Sequence, residues 1–416
     1  MDVMILSVGS EILKGRTVNT NAAYIAGKLY AAGFNVVQER TIADGERLIG
    51  RALEECFNTA DIVIATGGLG PTRDDVTKPA ACRFFNRKLV FDQKYYDRLE
   101  RYFRRLGYDG VPKRSYGQAE VPEGAEVLPN SQGTAPGLML GDGRRLLVLL
   151  PGVPREMSHL IDEEVLPRLV ERYTSGTPFS AVVRTVGIGE STIAERIEEE
   201  LAEEERELLN YYPHGGFVDI VVAAAGEVKP AHGEVVAKVA GHVRGVLADH
   251  VYATGEKDIR EVIAEHLTAG NQTLAVAESC TGGLLAETLT NIPGASTWFA
   301  GGAVTYSNKS KETLLGVPGS LIEQHGAVSE QVAIAMARGA AEKFATQWAV
   351  AITGIAGPGG GTEDKPVGTV FIALETPVGQ RCERCAFNGS RGQVRHRSTI
   401  KATELLWRAL RRLSES

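Results

Sequence analysis

The side chain with the clearest chemical potential is a serine at a predicted strand-to-helix turn. Ser279 follows the β-rich run 273–276 and precedes a helical pattern that begins at Leu284. A serine there would lie at the positive end of the helix dipole, where backbone N–H groups have no acceptors within the helix. We expect the N–H groups of Gly282 and Gly283 to be free and to form an oxyanion site beside a nucleophile.

Two lysines further along the chain are candidate bases for that serine. On the turn alone, an ordinary helix cap is the commoner explanation for Ser279. A serine becomes a useful nucleophile only when a base takes its proton, and the run 305–311 supplies Lys309 and Lys311. A lysine serves as a base near neutral pH only if burial or nearby positive charge lowers its pKa from about 10.4.

A second set of polar and glycine-rich segments follows predicted strands in the first third of the chain. These segments are residues 9–11, 67–75 and 151–156. Ligands of open α/β sheets bind beyond the carboxyl ends of the strands, so we expect one cleft there. The glycines of the second segment let the backbone approach an anion, and a helix predicted near Asp74 adds a favourable dipole. Asp74 and Asp75 suit a hard divalent cation, although acidic helix caps explain them equally well.

The pattern of apolar runs and glycine turns predicts how these segments are positioned. Strands alternate with helices in residues 1–172, which indicates a mainly parallel sheet with helices on both faces. The predicted strands are 3–8, 34–41, 62–66 and 145–150, and the helices are 20–32, 46–58, one from 74 and 154–172. The pattern breaks around residues 173–180.

Two further domains are predicted after this break. Residues 178–253 have a strand–helix–strand–helix order (182–187, from 190, 218–224 and 231–247), which predicts a small α+β domain. Residues 256–414 are again α/β. Their predicted strands are 274–277, 302–306, 348–353, 368–374 and 381–387, and their helices are 258–268, 282–290, 329–344 and 394–413. The predicted fold is therefore two three-layer α/β domains joined by a small α+β domain.

Composition limits the possible function classes. A chain of 416 residues with 43% hydrophobic and 23% charged residues is expected to form two or three globular domains. The net charge of −7 argues against broad nucleic-acid binding, and the arginine-rich run 408–412 is interpreted as a solvated helix face. No signal peptide, membrane span or disulfide framework is evident, so we expect a cytoplasmic protein. Cys382 and Cys385 have metal-ligand spacing but would face opposite sides of a predicted strand.

The glycine-rich segment carries a resemblance to a known family. Residues 67–75 (Gly-Gly-Leu-Gly-Pro-Thr-Arg-Asp-Asp) resemble the hallmark of the molybdopterin-binding domain in MoaB, MogA and CinA-type proteins. Segments 9–13, 19–21, 133–137 and 150–157 fit the CinA version, and the resemblance covers about residues 1–170.

This resemblance implies a ligand that carries phosphate. It implies ADP-ribose hydrolysis with a divalent metal (Mg²⁺, Mn²⁺ or Co²⁺) and potassium, or binding of a pterin dithiolene, and the sequence does not choose between them. Asp74 and Asp75 are the implied metal ligands. The implied ligand-binding residues are Gly9, Ser10, Glu11, Asn21, Gly67, Gly68, Gly70, Thr72 and Gly152.

A second resemblance covers about residues 256–414. Segments 277–283, 305–308, 325–329, 353–358 and 365–370 are similar, in this order, to the CinA C-terminal domain, also known as the PncC nicotinamide-nucleotide amidase. Several motifs in the right order are more specific than one, and they favour Ser279 as a nucleophile over a simple cap. The implied reaction converts nicotinamide mononucleotide to nicotinic acid mononucleotide and ammonia, without a cofactor.

The same resemblance implies roles for individual residues. The family spacing selects Lys311 as the base, with Tyr306 relaying a proton or orienting the lysine, and Thr353 bonding substrate or serine. Further substrate contacts are implied for Glu278, Thr281, Gly282, Gly283, Arg391 and Arg395. The arginines would hold the substrate phosphate, although the family's Pro-Gly-Asp-Arg corner is Asn-Gly-Ser-Arg at residues 388–391 here.

The sequence as a whole indicates a bifunctional enzyme of pyridine-nucleotide recycling. Its small-molecule partners would be nicotinamide mononucleotide and ADP-ribose, with no membrane partner, no strong case for nucleic acid, and a homodimer as the expected assembly. One alternative is a binding protein, connected with competence or DNA damage, whose cleft holds a pterin or nucleotide without turnover. Another is that only one domain is active.

Overall fold

The computed structural model describes residues 1–72, 74–173, 180–223 and 230–414. The chain forms two compact units, Met1–Pro178 and Phe179–Ser416. Arg73 of the glycine motif, the predicted break at 174–178 and the predicted strand end at Ala224 lie outside the described residues. Among the described helices, none has the length and apolar character needed to span a membrane.

The first unit is built on a six-stranded sheet. The strands of the whole unit are β1 (Asp2–Val8), β2 (Asn35–Ile42), β3 (Ile62–Thr66), β4 (Leu89–Phe91), β5 (Glu120–Pro122), β6 (Glu126–Leu128), β7 (Gly137–Gly141) and β8 (Leu146–Leu150). Its helices are α1 (Ser10–Leu13), α2 (Thr20–Ala31), α3 (Glu46–Phe57), α4 (Thr77–Phe84), α5 (Gln93–Arg105), α6 (Pro154–Leu160) and α7 (Leu166–Tyr173). The strand order is β2–β1–β3–β8–β7–β6, and β4 pairs with β5 separately.

Both faces of this sheet are buried, because successive strand residues point to opposite sides. In β1, Val3 and Ile5 pack with α2 and α6, whereas Met4 and Leu6 pack with α3 and α4. The unit therefore has helix, sheet and helix layers, as the apolar strands predicted. β2, β1, β3 and β8 run parallel, so their carboxyl ends lie at one edge of the sheet.

The second unit begins with an antiparallel sheet. Its strands are β9 (Ser180–Val186), β10 (Leu209–His214), β11 (Phe217–Ala223) and β12 (Val251–Thr254), in the order β10–β11–β9–β12. Its helices are α8 (Glu190–Glu198), α9 (Glu203–Arg206) and α10 (Pro230–Val246). One sheet face packs on α8 and α10 through residues such as Ile193 and Val239, which gives the small α+β arrangement.

The remainder of the second unit is a three-layer α/β domain. Its strands are β13 (Leu274–Glu278), β14 (Phe299–Val304), β15 (Trp348–Gly354), β16 (Thr369–Thr376) and β17 (Gly379–Ala386), in the order β14–β13–β15–β16–β17. Its helices are α11 (Ile259–Ala269), α12 (Leu284–Thr290), α13 (Asn308–Leu315), α14 (Gly319–His325), α15 (Glu330–Phe344) and α16 (Arg391–Ser414). Cys385 packs on the α16 side of the sheet and Cys382 on the α15 side, so the two thiols face apart.

The sequence missed several short elements. β4, β5 and β6 have three residues each, too few to show a periodic pattern. β10 contains Pro213, which argues against a strand but is tolerated because β10 lies at the sheet edge. The helix predicted near Asp74 begins at Thr77.

Candidate active site

The second unit places Ser279 and Lys311 in direct contact. Ser279 follows β13, and Lys311 lies on α13, a helix that the sequence did not predict. The Lys311 Nζ atom is 3.1 Å from Ser279 Oγ and donates to the Thr305 carbonyl oxygen at 2.7 Å. Both side chains are buried, with exposed fractions of 1% for Lys311 and 8% for Ser279. A nucleophile and a base therefore lie within proton-transfer distance.

Burial also prepares Lys311 to act as a base. Removal from water disfavours the charged ammonium and lowers the pKa of Lys311 to about 8. Among the described ion pairs, none joins Lys311 to a carboxylate that would oppose this effect. Lys309 points elsewhere: it is exposed and pairs with Glu312 at 3.3 Å. Lys311 therefore has a minor neutral fraction at pH 7, which grows as the pH approaches 8.

The expected free N–H groups at the turn are already used. Gly282 N donates to Ser279 O at 3.1 Å, and Gly283 N donates to Glu278 Oε2 at 3.0 Å. The prediction that these two groups form the oxyanion site was therefore wrong. Among the described residues, Thr281 N has no acceptor, and Cys280 N has none beyond its own side chain. The Thr281 hydroxyl is fully buried and has no partner in the described structure.

Glu278 explains why those N–H groups are not free. Its buried carboxylate accepts from Gly283 N, Leu285 N and Ala286 N at 2.8–3.0 Å, and so satisfies the first turn of α12. The prediction that Glu278 contacts substrate was wrong, because its carboxylate is committed to this helix end. An acidic residue at the end of a strand thus fixes the turn that holds Ser279.

Replacing Glu278 by glutamine is expected to destabilise the protein. The substitution removes the charge and puts an amide donor against backbone N–H groups, leaving buried donors without acceptors. We expect a loss of about 2–3 kcal/mol in unfolding free energy, measured by chemical denaturation. Glu323→Gln, on an exposed residue, is the matched control and should change stability little. Equal stability of the two variants would contradict the capping role.

The hydrogen bonds of Tyr306 and Thr353 differ from those that their predicted roles require. Tyr306 is 58% exposed, and its hydroxyl accepts from Arg391 Nη2 at 2.5 Å, whereas Lys311 Nζ bonds Ser279 and Thr305 instead. The expectation that Tyr306 orients Lys311 is therefore wrong. The Thr353 hydroxyl donates to Ala327 O at 2.8 Å, so its proton is not directed at Ser279. It ties the 325–329 segment to the end of β15.

Two arginines on the first turns of α16 border the serine turn. Arg395 donates from Nε and Nη2 to Thr281 O at 3.2 and 2.6 Å, directly at the turn. Arg391 is exposed and donates to Gly357 O and to the Tyr306 hydroxyl. No acceptor in the described part of the chain binds Arg391 Nε or Arg395 Nη1, so both can donate to a ligand. Guanidinium groups at the positive end of a 24-residue helix favour an anion such as phosphate.

The first unit brings its predicted segments together at one sheet edge. Gly67 N donates to Leu150 O at 2.9 Å, and a Cβ on Gly67 would lie 2.1 Å from Val8 O. The ends of β1, β3 and β8 therefore meet at Gly67, whose φ of 96° also requires glycine. A Cβ on Gly152 would lie 3.5 Å from the Gly67 Cα atom, so the third segment reaches the same point.

The glycine loop presents unused backbone donors at this edge. Within the described residues, no acceptor binds the N–H groups of Gly68, Leu69 and Gly70. Thr77 holds the loop in place: its N donates to Gly68 O and its hydroxyl to Gly67 O. Successive N–H groups in such a glycine turn form an anion-binding nest.

The predicted residues around β1 lie beside this loop. Ser10 N donates to Asp44 Oδ2 at 2.9 Å, and the Glu11 carboxylate lies against Gly9. The Asn21 amide donates from Nδ2 to Gly152 O at 2.8 Å. Asn21 therefore joins the cleft formed by the three strand ends.

The two candidate metal ligands precede α4. Asp74 is exposed, whereas Asp75 Oδ2 accepts from Thr72 N at 2.7 Å and from Thr72 Oγ1 at 2.6 Å. In the described residues no group of three or more His, Cys, Asp or Glu side chains could enclose a metal. Two carboxylates nevertheless fit Mg²⁺, which is often held by one or two carboxylates together with ligand phosphates and water.

The buried Lys78 and Asn130 and the half-buried Glu156 support this cleft, although the sequence reasoning gave none of them a role. Lys78 donates to Gly117 O and Glu120 O at 2.6 and 2.8 Å, and burial lowers the pKa of Lys78 to about 8. Asn130 donates to Glu156 Oε2 at 2.5 Å, and burial raises the pKa of that carboxyl. Lys78 and Glu156 each adjoin a quoted motif, but no local pattern distinguishes them from surface charges.

Comparison with known proteins agrees with this organisation. Three family models match: "Probable molybdopterin binding domain" over residues 4–171, "Damage-inducible protein CinA KH domain" over 180–253, and "CinA C-terminal domain" over 256–410. The chain is 39% identical over 406 residues to a CinA-like protein of Dictyoglomus thermophilum, covering 98% of each chain. It is 39% identical over 416 residues to a CinA-like protein of Gemmatimonas aurantiaca, covering 99% of this chain and 97% of the relative.

A solved structure is also similar to part of the chain. The competence/damage inducible protein CihA from Agrobacterium tumefaciens is 40% identical, covers 38% of this chain and 97% of its own, and has a TM-score of 0.35. The full-length relatives and the three family models in consecutive order establish the relationship. The chain belongs to the CinA family.

Proposed function

We propose that the C-terminal domain is a serine-lysine amidohydrolase that deamidates nicotinamide mononucleotide. The observation that carries the proposal is the 3.1 Å contact between Ser279 Oγ and the buried Lys311 Nζ atom. Arg391 and Arg395 beside the serine turn suit the substrate phosphate, and the resemblance to nicotinamide-nucleotide amidases supplies the substrate. Such a pair would hydrolyse the C–N bond of a carboxamide.

The geometry supports a two-step acyl transfer. Neutral Lys311 takes the proton of Ser279 as Oγ attacks the carboxamide carbon, and the N–H groups of Cys280 and Thr281 would stabilise the oxyanion. The protonated Lys311 then returns the proton to the leaving nitrogen, so ammonia departs and an ester on Ser279 remains. Water, deprotonated by Lys311, hydrolyses that ester to nicotinic acid mononucleotide and restores Ser279.

The test is ammonia release from nicotinamide mononucleotide by the purified full chain. Release that saturates with substrate, accompanied by nicotinic acid mononucleotide in equal amount, would support the amidase. Nicotinamide riboside, which lacks the phosphate, should be a much poorer substrate if the two arginines bind that group. No ammonia from a folded protein would refute the proposal.

The pH profile of the amidase follows from Lys311. The base must be neutral, and burial lowers the pKa of Lys311 to about 8. Below about pH 8 we expect kcat/KM to fall tenfold per pH unit as Lys311 becomes protonated, and above it to level off. Initial rates of ammonia release at low substrate concentration, from pH 6 to 9.5, measure this. A rate that falls as the pH rises through 8 would contradict the assignment.

We propose that the N-terminal domain hydrolyses ADP-ribose in the cleft around Gly67. The support is the row of unused N–H groups at Gly68, Leu69 and Gly70, which suits a phosphate oxygen. Asp74 and Asp75 would hold a divalent metal, which would neutralise pyrophosphate charge when bound. The Gly67 and Gly152 backbones shape a narrow approach for the ligand.

Asp75→Asn tests the N-terminal proposal. The amide keeps an acceptor for Thr72 but removes the negative charge that would attract a cation, so metal affinity should fall. We expect at least a tenfold loss of metal-dependent ADP-ribose hydrolysis at limiting metal, with ammonia release unchanged as the control in the same protein. An unaltered metal requirement would exclude Asp75 as a ligand.

A further inference from the structure

The positive charge of the chain is concentrated in one part of the first unit. Residues 83–116 contain ten lysines and arginines but only four aspartates and glutamates, whereas the whole chain contains 45 and 52. This segment includes β4, α5 and the start of a short 3₁₀ helix, Lys113–Ala119, which packs against α5. The net charge of −7 therefore conceals a clustered basic surface, which is the electrostatic feature that binding of a nucleic acid requires.

Four cations of this surface form a row along α5. Lys94, Arg98, Arg101 and Arg105 are separated by four, three and four positions, so they share one face of the helix. Adjacent side chains of such a row lie about 5–6 Å apart, which is similar to the separation of successive phosphates along a nucleic-acid strand. The row therefore suits a polyanion with regularly spaced charges.

Most cations of the segment have no carboxylate partner. In the described part of the chain, ion pairs join Arg83 to Glu46 and Arg104 to Glu100. The exposed cations for which the described residues provide no ion pair are Arg87, Lys88, Lys94, Arg101, Arg105, Lys113 and Arg114. Like charges clustered in this way repel one another, although acidic residues are in excess elsewhere in the chain. An anionic ligand would relieve that repulsion.

Exposed aromatic rings belong to the same surface. Phe91 of β4 is 51% exposed and Tyr116 is 44% exposed, and their ring centroids lie 5.4 and 5.5 Å from that of Tyr96 on α5. Lys113 and Arg114 directly precede Tyr116 in the 3₁₀ helix. Exposed rings beside cations are the platform on which the bases of a single strand stack, whereas the bases of a duplex are already stacked on one another.

We propose that this basic surface binds single-stranded nucleic acid, with its phosphates on the lysine and arginine side chains and its bases against Phe91 and Tyr116. Phosphates and base faces are common to all sequences, so the binding is largely independent of sequence. This function goes beyond the two hydrolytic activities proposed above and does not depend on either of them.

Fluorescence anisotropy with the full chain and labelled oligothymidylate or oligouridylate strands tests the proposal. For wild type, the logarithm of the affinity should fall linearly with the logarithm of the salt concentration, by about 0.7 for each phosphate that is neutralised. The triple variant Lys94→Gln/Arg101→Gln/Arg105→Gln should bind at least about tenfold more weakly in about 50 mM salt, and the slope should decrease by about two.

A second triple variant controls for the general loss of charge. Arg47→Gln/Arg51→Gln/Lys343→Gln removes three exposed cations from outside the basic surface, so it should retain nearly the wild-type affinity and slope. Tm measurements identify any variant that is not folded. An equal loss of affinity in the two folded triple variants would overturn the proposal, as would the absence of strand binding by wild type in low salt.

Phe91→Ala and Tyr116→Ala distinguish a nucleic acid from other polyanions. Each variant should weaken strand binding at least about fivefold, because the stacking of a base is lost, and should leave the binding of inorganic polyphosphate unchanged. Equal effects on the two ligands, or no effect on either, would overturn the assignment to nucleic acid. If wild type binds no strand and the α5 triple variant changes the sedimentation of the protein, the surface binds a second copy of this chain instead.

Discussion

Ser279→Ala should abolish ammonia release from nicotinamide mononucleotide, with a loss of at least about 10³-fold in kcat. The substitution removes the atom that forms the acyl intermediate but leaves the Glu278 cap and the turn backbone in place. Substrate binding should therefore survive. The measurement is ammonia release under saturating substrate, together with calorimetric binding of the nucleotide to the inactive variant.

The neighbouring Cys280 provides the matched control, because a thiol is the other nucleophile in this turn. Burial raises the pKa of Cys280 to about 11, so the thiol stays protonated and unreactive at neutral pH. Cys280→Ala should keep most of the activity. ADP-ribose hydrolysis should be unaffected in both variants. Activity retained by Ser279→Ala and lost in Cys280→Ala would transfer the nucleophile to the cysteine.

Lys311→Met should reduce kcat by about 10²-fold to 10⁴-fold, the usual contribution of a general base. Methionine has nearly the same length, but it cannot take the Ser279 proton. Lys311→Arg should not restore activity, because a guanidinium stays protonated at every accessible pH. Ammonia release across the pH range measures both variants, and the rise towards pH 8 should disappear with Lys311.

Lys309→Met is the control for Lys311→Met, since Lys309 is exposed two positions away on the same helix. It should leave the rate almost unchanged. The pKa of Lys311 is lower folded than unfolded, so the unfolded chain binds more protons between about pH 8 and 10.5, and folding stability rises with pH there. At neutral pH the buried lysine therefore lowers the free energy of unfolding, and Lys311→Met should raise Tm. A fall in both Tm and rate would indicate a structural lysine.

Much of the fold could be predicted from the sequence, because long apolar strands and glycine turns have strong local signals. The strand Ile62–Thr66 agrees with the prediction to the residue, and the other predicted strands in both α/β domains differ by a few residues, but β6 and β7 were missed. The 13-residue helix α5 was missed although its amphipathic pattern and its Asp92 cap are local signals. The other missed elements are short, or contain an exception such as Pro213 at a sheet edge. Their stability comes from tertiary contacts, which leave little trace in a local pattern.

Part of the candidate site could likewise be predicted from the sequence, and part could not. The choice of Ser279 and Lys311 came from motif spacing, and the structure brings their side chains together. The roles given to Glu278 and Tyr306 were wrong because a sequence does not show where each polar group finds its partner. Glu278 satisfies a helix end, and Tyr306 meets Arg391 instead of Lys311.

The last helix, α16, connects parts of the second unit that sequence analysis treats as separate. Its first turns carry Arg391 and Arg395, while Trp407 near its other end makes an edge-to-face contact with Tyr252 of the antiparallel sheet. Ile400 lies between, against the hairpin glycine Gly216. Residues 180–414 should therefore melt in a single cooperative transition. A nucleotide bound beside Ser279 would then protect the antiparallel sheet from unfolding, even though it touches none of its strands.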